Sequence, residues 1–301
     1  MSYHIVSIDS PQCSLSCRDG QLTCKADGVE RKLPLEDVAS IIVTSFSASI
    51  HSELFLEAAK HGVALIICEA FKPVSLVLPA NRSTDTLLTR AQIKLPPRAT
   101  ALLWRRTVDA KCQNQFSLAR FLAPDDERLV AFQTTAFGRK AHKESICARA
   151  FWQVLGRYVN DDEFVRDRTR GGLNALLNYG YAVLLSTTLQ KLFGVGLDPT
   201  FGIAHVARER STPLAYDLME PFRPCVDWRV IQWVKQHPET TAWEVTKEFR
   251  KWVTGFPLER VEYLGLELEI QGCIEGVVRG FRRALADNQP AAYRPWHMKL
   301  G

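Results

Sequence analysis

The sequence has no apolar run of the ~18 residues that a membrane-spanning helix requires. Its first residues contain neither a basic stretch nor a long apolar core, so they do not resemble a secretory signal peptide. The eight cysteines among 301 residues show none of the spacing of a small disulfide-stabilised domain. These absences predict a soluble cytoplasmic protein with free thiols and no membrane association.

Motifs of several common enzyme classes are also missing. The chain has no GxxxxGKS phosphate loop, no GxGxxG dinucleotide motif and no GxSxG nucleophile elbow. No internal repeat with a period of ~20–50 residues is present, which disfavours a solenoid. Cys13, Cys17 and Cys24 include no CxxC pair, so we expect small apolar side chains in a β domain rather than a zinc site. Any active site must therefore be built from residues outside these motifs.

The composition, 46% hydrophobic and 24% charged, is that of a folded protein, and its positive charge is unevenly distributed. Residues 1–93 carry 8 Lys and Arg against 10 Asp and Glu, whereas the remainder carries 30 against 23. This basic excess suits an anionic partner such as nucleic acid. A solvated basic surface explains it equally well, so charge alone leaves both interpretations open.

The first 80 residues predict a small β-rich domain that contains one helix. Asp19-Gly20 and Asp27-Gly28 supply the positive φ angles that tight hairpin turns need. Ser52 to Lys60 has the apolar spacing of a helix, and Gly62 is suited to end it. Short β-rich or apolar runs predict strands at Tyr3–Ile8, Ile41–Val43, Val63–Cys68 and Val74–Leu78.

From about Arg98 onward, the spacing of apolar residues predicts helices. The last clear helical pattern runs from Glu259 to Ala286, and we expect the polar tail from about residue 288 to be loosely held. Residues 81–98 form a predicted linker with a short helix inside it. The predicted fold class is therefore α+β, with a small β-rich domain in residues 1–80 and a larger all-α-helical domain in residues 99–301.

One predicted helix, His142 to Tyr158, carries an acid on its apolar side. On a wheel of ~100° per residue, Glu144 falls near the middle of a stripe formed by Cys147, Ala148, Phe151, Val154, Leu155 and Tyr158. A carboxylate on a core-facing stripe requires a cationic or metal partner. The alternative is a first-turn glutamate that is favoured by the helix dipole and reaches solvent.

A second group of candidate ligands lies further along the chain. His205 has apolar neighbours, and Glu220 follows it fifteen residues later. Asp217 precedes Glu220 by three residues, so on a helix both carboxylates share one face. The imidazole and two carboxylates of Glu144, His205 and Glu220 suit Mg²⁺ or Mn²⁺ and leave coordination positions for substrate oxygens. A histidine satisfied within the core is the alternative for His205, and spacing alone does not bring the three side chains together.

These residues occur in a pattern that resembles the CRISPR adaptation integrase, the CRISPR-associated endonuclease/integrase that inserts spacers into a CRISPR array. The similarity extends over nearly the whole chain, and the matching segments are Glu144 with Ala148-Arg149 and Phe151-Trp152, Asn174–Tyr181, His205 and Leu214–Pro224. The resemblance implies that Glu144, His205 and Glu220 are the catalytic metal ligands, with Asp217 and Asn178 as accessory residues. The third ligand is aspartate in some members of that family and glutamate here.

The resemblance also implies a reaction and an assembly. The 3′-hydroxyl of an incoming DNA fragment would attack a phosphodiester at the edge of a repeat, with Mg²⁺ or Mn²⁺ as cofactor. Water in place of the hydroxyl would give endonuclease activity. We expect homodimers formed through the β-rich domain. These dimers would bracket a small ferredoxin-like CRISPR-associated subunit in a heterohexamer that binds double-stranded DNA fragments and repeat DNA.

DNA contacts are expected from basic side chains near the ligands, namely Arg139, Lys140, Arg166, Arg168, Arg170, Arg208 and Arg223. Two other functions compete with the integrase. The first is a non-catalytic DNA-binding scaffold subunit of the adaptation complex, which the presence of all three ligand types disfavours. The second is an unrelated metal-dependent phosphoesterase for small substrates, which the absence of short DxH or HxH clusters disfavours.

Overall fold

The structure, a computed structural model, divides into a β-rich N-terminal region and a larger, mainly helical region, which confirms the α+β fold class. It describes residues 4–10, 12–45, 47–69, 72–77, 86–139, 142–206, 212–238 and 243–300.

Two four-stranded sheets form the N-terminal region of the described chain. Their strands, β1–β8, run over His4–Ile8, Ser14–Arg18, Gln21–Ala26, Val29–Pro34, Val38–Val43, Ser49–Ile50, Ala64–Glu69 and Lys72–Val77. The first sheet has the order β1–β5–β7–β8. Strands β1, β5 and β7 are parallel, and β8 pairs antiparallel with β7 at the edge. The second has the order β4–β3–β2–β6, in which β2, β3 and β4 form an antiparallel meander.

Both predicted hairpin turns lie in this meander. Asp19 and Gly20 connect β2 to β3 with φ angles of 53° and 71°. Asp27 and Gly28 connect β3 to β4 with φ angles of 52° and 75°. Two successive positive φ angles match the right-handed twist of the flanking strands, which confirms the turns predicted from these dipeptides.

The cysteines of the β-rich region are core side chains. Cys13 and Cys17 are buried and Cys24 is half-buried, and all three are free thiols within the hydrophobic cluster of this region. Burial raises the pKa of each thiol, which keeps it protonated. The interpretation as small apolar side chains is therefore confirmed.

Helix α1, Ser52–Lys60, has the bounds predicted from the sequence. Leu54 and Ala58 lie one turn apart on its buried face. Gly62 follows with a φ angle of 69°, a conformation that glycine adopts without strain and that stops the helix before β7.

The larger region is organised around one long buried helix. Helices α2–α10 run over Thr86–Ile93, Pro97–Leu122, Arg128–Phe137, Lys143–Tyr158, Leu173–Gly194, Pro213–Met219, Arg223–Gln236, Lys247–Val253 and Ile270–Ala286. Helix α6 is buried on all its faces and packs against β5, β7 and β8 of the first sheet. The Ser186 hydroxyl of α6 contacts the Ser40 hydroxyl of β5, so the sheet and the helices share a boundary.

The helix predicted over Glu259 to Ala286 is wrong in its first third. Residues 260–269 form an antiparallel hairpin of β9, Arg260–Tyr263, and β10, Leu266–Glu269. Leu264 and Gly265 make its turn with φ angles of 52° and 82°. Apolar and acidic residues alternate along this stretch, and that period of two, which is typical of strands, outweighs the helical spacing of the same leucines.

The tail from residue 288 is packed against the helices and not loosely held. Tyr293, Trp296 and Met298 are buried. Asn114 of α3 donates hydrogen bonds to the carbonyl oxygens of Pro221 (2.7 Å) and Trp296 (3.0 Å). The tail is polar in sequence, but its few apolar residues fill a groove that only the folded helices create, so composition alone misjudges it.

No helix within the described ranges combines the length and the apolar character needed to cross a bilayer.

Candidate metal centre

Helix α3 places two side chains beside the predicted ligands. Trp104 and Lys111 lie seven residues apart, and therefore on one face of the helix. The Trp104 ring meets the His205 ring edge to face, with centroids 6.0 Å apart. Lys111 is buried two turns further along, where it meets the two predicted glutamates.

The ammonium group of Lys111 bridges Glu144 and Glu220. Its Nζ donates a hydrogen bond to Glu144 Oε1 at 2.6 Å and lies 2.7 Å from Glu220 Oε2. Glu144 extends from the first turn of α5 and remains 38% exposed, whereas Glu220 is buried. Burial opposes the charge on Lys111, but Glu220 and Glu144 outweigh it and raise the pKa of the lysine. Two carboxylates from separate elements thus converge on one cation.

The apolar stripe predicted around Glu144 forms the buried face of α5. Cys147, Phe151, Val154 and Leu155 are buried. Both interpretations of Glu144 hold in part, because this residue lies in the first helical turn and reaches solvent while its carboxylate also has a cationic partner.

Glu220 is kept ionised in the interior by two cations. It opens a 3₁₀ turn, Glu220–Phe222, between α7 and α8, and its Oε2 also lies 3.3 Å from Arg223 Nε. Burial alone would raise its pKa, but Arg223 and Lys111 outweigh burial and lower the pKa of Glu220 to about 2, with a further contribution from His205. Within the described residues these contacts are ion pairs, and Glu220 Oε2 has no well-directed hydrogen bond.

His205 is held by Asp217 through both its backbone and its ring. Asp217 is fully buried, and its carboxylate accepts hydrogen bonds from the backbone N–H groups of Ile203 (2.5 Å), Ala204 (3.1 Å) and His205 (3.2 Å). His205 Nδ1 lies 2.7 Å from Asp217 Oδ1. A carboxylate at Nδ1 fixes the proton there, which leaves Nε2 as the nitrogen able to bind a metal. Asp217 therefore supports His205 rather than acting as a ligand itself.

Gly202 makes this loop possible. A Cβ at position 202 would lie 2.5 Å from the carbonyl oxygen of His205 and 2.9 Å from Asp217 Oδ2. No side chain fits at those distances, so a glycine is required where the backbone folds over the aspartate.

The donor set fits a divalent ion, although the described side chains are not arranged as its ligands. Among the described residues, no three His, Cys, Asp or Glu side chains are placed to hold one metal ion, and Lys111 lies between the two glutamates instead. Mg²⁺ and Mn²⁺ bind carboxylate oxygens and imidazole nitrogens. Glu144 and Glu220 supply the carboxylates, and the buried Oε2 of Glu220 has no directed hydrogen bond. His205 supplies Nε2.

Comparison with known proteins decides the family. The family model described as CRISPR associated protein Cas1 matches residues 6–251. The chain belongs to the Cas1 family. The CRISPR-associated endonuclease Cas1 of Neisseria meningitidis serogroup C (strain 8013) is 30% identical over 228 residues, which cover 74% of this chain and 73% of that protein. The resemblance to a CRISPR adaptation integrase is thereby confirmed.

Solved structures share the fold. A casposase bound to integration product aligns with a TM-score of 0.82 at 21% identity, covering 96% of this chain and 91% of that chain. A chain of a Cas6-RT-Cas1–Cas2 complex aligns with a TM-score of 0.80 at 15% identity, covering 99% of this chain and 36% of that chain. These similarities span both the β-rich and the helical regions.

Asn178 lies in one of the segments that resemble the family, and it bonds to the loop over residues 166–170 and not to Glu144 or Glu220. Asn178 accepts a hydrogen bond from Arg166 at 2.7 Å and donates one to the carbonyl oxygen of Arg168 at 3.0 Å. Arg166 also donates to Asn174 Oδ1 at 2.9 Å. Asn178 therefore anchors the loop over residues 166–170, and its accessory role at the metal site stays a prediction.

The arginines expected to contact DNA have different environments. Arg223 is half-buried between Glu220 and the Tyr181 ring, whose centroid lies 4.8 Å from the guanidinium carbon, and its assignment as a DNA contact stays a prediction. Arg166 is likewise engaged inside the protein. Arg139, Arg168 and Arg170 are exposed, although Arg170 pairs with Asp167 at 3.3 Å. Lys140 and Arg208 lie outside the described residues.

Lys111 and Trp104 were not among the residues expected at the site. A signal for Lys111 exists in the sequence, because it stands between Ala110 and Cys112, two small apolar residues that the helix places in the core. A charged residue on a buried helix face requires a partner of opposite charge. Nothing in the sequence pattern links Trp104 to His205, because that contact joins distant parts of the chain.

Proposed function

We propose that this Cas1-family chain is a divalent-metal-dependent DNA integrase that inserts DNA fragments into a CRISPR array. The observation that carries the proposal is the convergence of Glu144 and Glu220 on one positive charge, with the ring of His205 oriented by Asp217. Such a cluster binds a cation and leaves its substrate-facing side to DNA oxygens.

Each residue has a distinct role in this proposal. Glu144, Glu220 and Nε2 of His205 would hold Mg²⁺ or Mn²⁺. When bound, the ion lowers the pKa of the attacking 3′-hydroxyl and stabilises the charge that develops on the phosphodiester. Asp217 keeps the Nδ1 proton of His205, and Arg223 keeps Glu220 ionised and in place. Because one phosphodiester replaces another, the reaction needs no nucleoside triphosphate, consistent with the missing phosphate loop.

DNA and protein partners are part of the proposal. Similar structures include a casposase bound to integration product and a Cas6-RT-Cas1–Cas2 complex, which supports double-stranded DNA and a second CRISPR-associated protein as partners. We propose homodimers joined through the β-rich region and a small ferredoxin-like subunit that completes a heterohexamer. Exposed Arg139 and Arg170 suit contacts with DNA phosphates.

An integration assay tests this function. Purified protein is incubated with short DNA duplexes, a supercoiled plasmid that carries a CRISPR repeat, and Mn²⁺ or Mg²⁺. We expect Glu144→Ala, His205→Ala and Glu220→Ala each to lower strand transfer by about 100-fold or more while DNA binding persists, and the triple variant to be little worse than any single one. Glu220→Asp should lose less activity than Glu220→Ala, because it keeps a carboxylate.

The control is Glu248→Ala, which removes an exposed glutamate from the first turn of α9, outside the site and outside the β-rich region. It should leave integration unchanged. Wild-type integration by a folded Glu144→Ala or His205→Ala protein, with folding verified by circular dichroism, would contradict the proposal.

One observation favours the competing role of a DNA-binding scaffold. Lys111 already neutralises part of the charge of Glu144 and Glu220, as it would in a site that never binds metal. In that case Mn²⁺ would change neither strand transfer nor the thermal stability of the protein.

A further inference from the structure

Lys111 differs from Lys143, which is also buried, in the partners of its ammonium group. Lys143 Nζ donates hydrogen bonds to the carbonyl oxygens of Ala136 (3.0 Å) and Gly138 (3.1 Å) and pairs with Asp109, so it joins the C-terminal end of α4 to α3. Lys111 Nζ instead meets carboxylates from two separate elements, Glu144 in α5 and Glu220 in the turn before α8. The ammonium group of Lys111 is thus held by the two carboxylates and not by backbone carbonyl oxygens.

Lys111 occupies the space between the two carboxylates, where a metal ion shared by Glu144 and Glu220 would lie. Oε1 of Glu144 and Oε2 of Glu220 lie 2.6 Å and 2.7 Å from Nζ, and a bound Mg²⁺ would require such oxygens at about 2.0–2.1 Å. An ammonium group and a metal ion cannot occupy the same space between the two oxygens. Loading the ion therefore requires Lys111 to leave.

The charges of these side chains also oppose the binding of a metal ion beside Lys111. Glu144 and Glu220 contribute two negative charges, and Lys111 with Arg223 contributes two positive charges, so the cluster is neutral as it stands. A divalent ion added to this cluster would be repelled by both cations at short range. Arg223 is locked between Glu220 and Tyr181, whereas the four-carbon arm of Lys111 lets its ammonium group swing away.

We propose that Lys111 is an internal cation that holds Glu144 and Glu220 together before metal binds and competes with the metal ion for them. The inference rests on the proposed metal-dependent function. It makes Lys111 a positioning residue that prepares the site in the metal-free protein and weakens its affinity for free metal ions. A residue with only a structural role would change stability without changing metal affinity.

The test measures metal binding directly, without DNA and without activity. Isothermal titration calorimetry with Mn²⁺ compares the wild-type chain with Lys111→Met. We expect Lys111→Met to bind Mn²⁺ about tenfold more tightly or better, because one competing positive charge is gone. Without metal, Lys111→Met should have a lower Tm than the wild type, since Glu220 loses a buried partner, and Mn²⁺ should raise its Tm more than that of the wild type.

Controls separate this inference from the function on which it rests. Lys191→Met removes a lysine that pairs with Glu275 at 3.4 Å outside the site, and it should leave Mn²⁺ affinity unchanged. If Lys111→Met does not fold, Lys111→Gln removes the charge and keeps a donor, and it should also tighten Mn²⁺ binding. Glu144→Gln should weaken binding in the wild-type background.

The outcomes are distinct. Mn²⁺ binding that depends on Glu144 but is equal or weaker in both Lys111 variants overturns the role of Lys111 and leaves the proposed function intact. No Mn²⁺ binding by any variant, with no change after Glu144→Gln, overturns the metal site and Lys111 together.

Discussion

Buried acids near the site show how single residues set its electrostatics. Glu220 and Asp227 are both fully enclosed, but their pKa values move in opposite directions. Glu220 has two cations at short range and stays ionised, whereas Asp227 has the Tyr181 hydroxyl as its nearest partner, at 2.5 Å. Burial raises the pKa of Asp227 to about 7 despite that hydrogen bond and the more distant arginines. The difference between hydrogen-bond and ion-pair partners therefore decides which acid carries charge at neutral pH.

Asp227 predicts a pH-dependent stability. Its pKa is about 7 in the folded protein and 3.8 as an ordinary aspartate, so unfolding between these values releases a proton and the folded state loses stability as pH rises. Asp227→Asn keeps an oxygen that can accept the Tyr181 hydrogen bond but removes the ionisation. Relative to the wild type, the variant should gain roughly 4 kcal/mol of unfolding free energy between pH 4 and pH 8. Urea unfolding across this range measures the gain, and parallel pH profiles for both proteins would contradict the assignment.

At the residue scale, the candidate ligands could be named from the sequence but their partners could not. Glu144, His205 and Glu220 stand out because each interrupts or follows an apolar pattern. The ion pair between Arg223 and Glu220 could not be predicted, because a charge beside a candidate ligand has the same sequence pattern whether it faces DNA or pairs inside the protein. Lys111 is 109 residues from Glu220 in sequence, and only the folded chain brings the two together.

At the scale of elements, the C-terminal tail supports the segment that carries Glu220. The Trp296 ring stacks on Phe222 with centroids 5.4 Å apart and an angle of 10° between the planes. Asn114 links the backbone of Pro221 to that of Trp296. The 3₁₀ turn after Glu220 is thus enclosed between α3 and the tail, which fixes the direction of its carboxylate.

Removing the tail's indole ring should disturb the site as well as the fold. Trp296→Ala should lower the unfolding free energy by about 3–5 kcal/mol and should also reduce integration by the folded fraction, since Phe222 loses its stacking partner. Trp252→Ala is the control, because Trp252 packs on Arg229 in α8. Denaturant unfolding and integration assays are compared at equal folded fraction. Equal residual integration in the two variants would mean that the tail only stabilises the fold.

Elements with strong local signals were predictable, and those defined by packing were not. Helix α1 and the two Asp-Gly hairpins follow from residues within a few positions of each other. The β9–β10 hairpin was missed because its leucines satisfy helical and strand spacing at once, so tertiary context decides between them. The tail was missed because the groove that receives Trp296 comes from α3 and the Glu220 turn.

At the scale of the whole molecule, the site depends on contacts across long stretches of sequence. Helix α3 reaches His205 with Trp104, and both glutamates with Lys111. Helix α6 joins the helices to the first sheet through β5, β7 and β8. The sequence predicted both regions and their order, but not how α3 would gather ligands from α5, the His205 loop and the turn before α8.

The proposed function requires Glu144, His205 and Glu220 to bind one divalent ion together. Anomalous diffraction at the manganese edge, from crystals of the full chain soaked in Mn²⁺, tests it most directly. We expect one anomalous peak about 2.0–2.3 Å from a carboxylate oxygen of Glu144, from one of Glu220 and from Nε2 of His205, with Lys111 Nζ moved away from both carboxylates. The proposed site would be contradicted if manganese were fully occupied elsewhere in the crystal while Lys111 still bridged Glu144 and Glu220 and no peak lay between them.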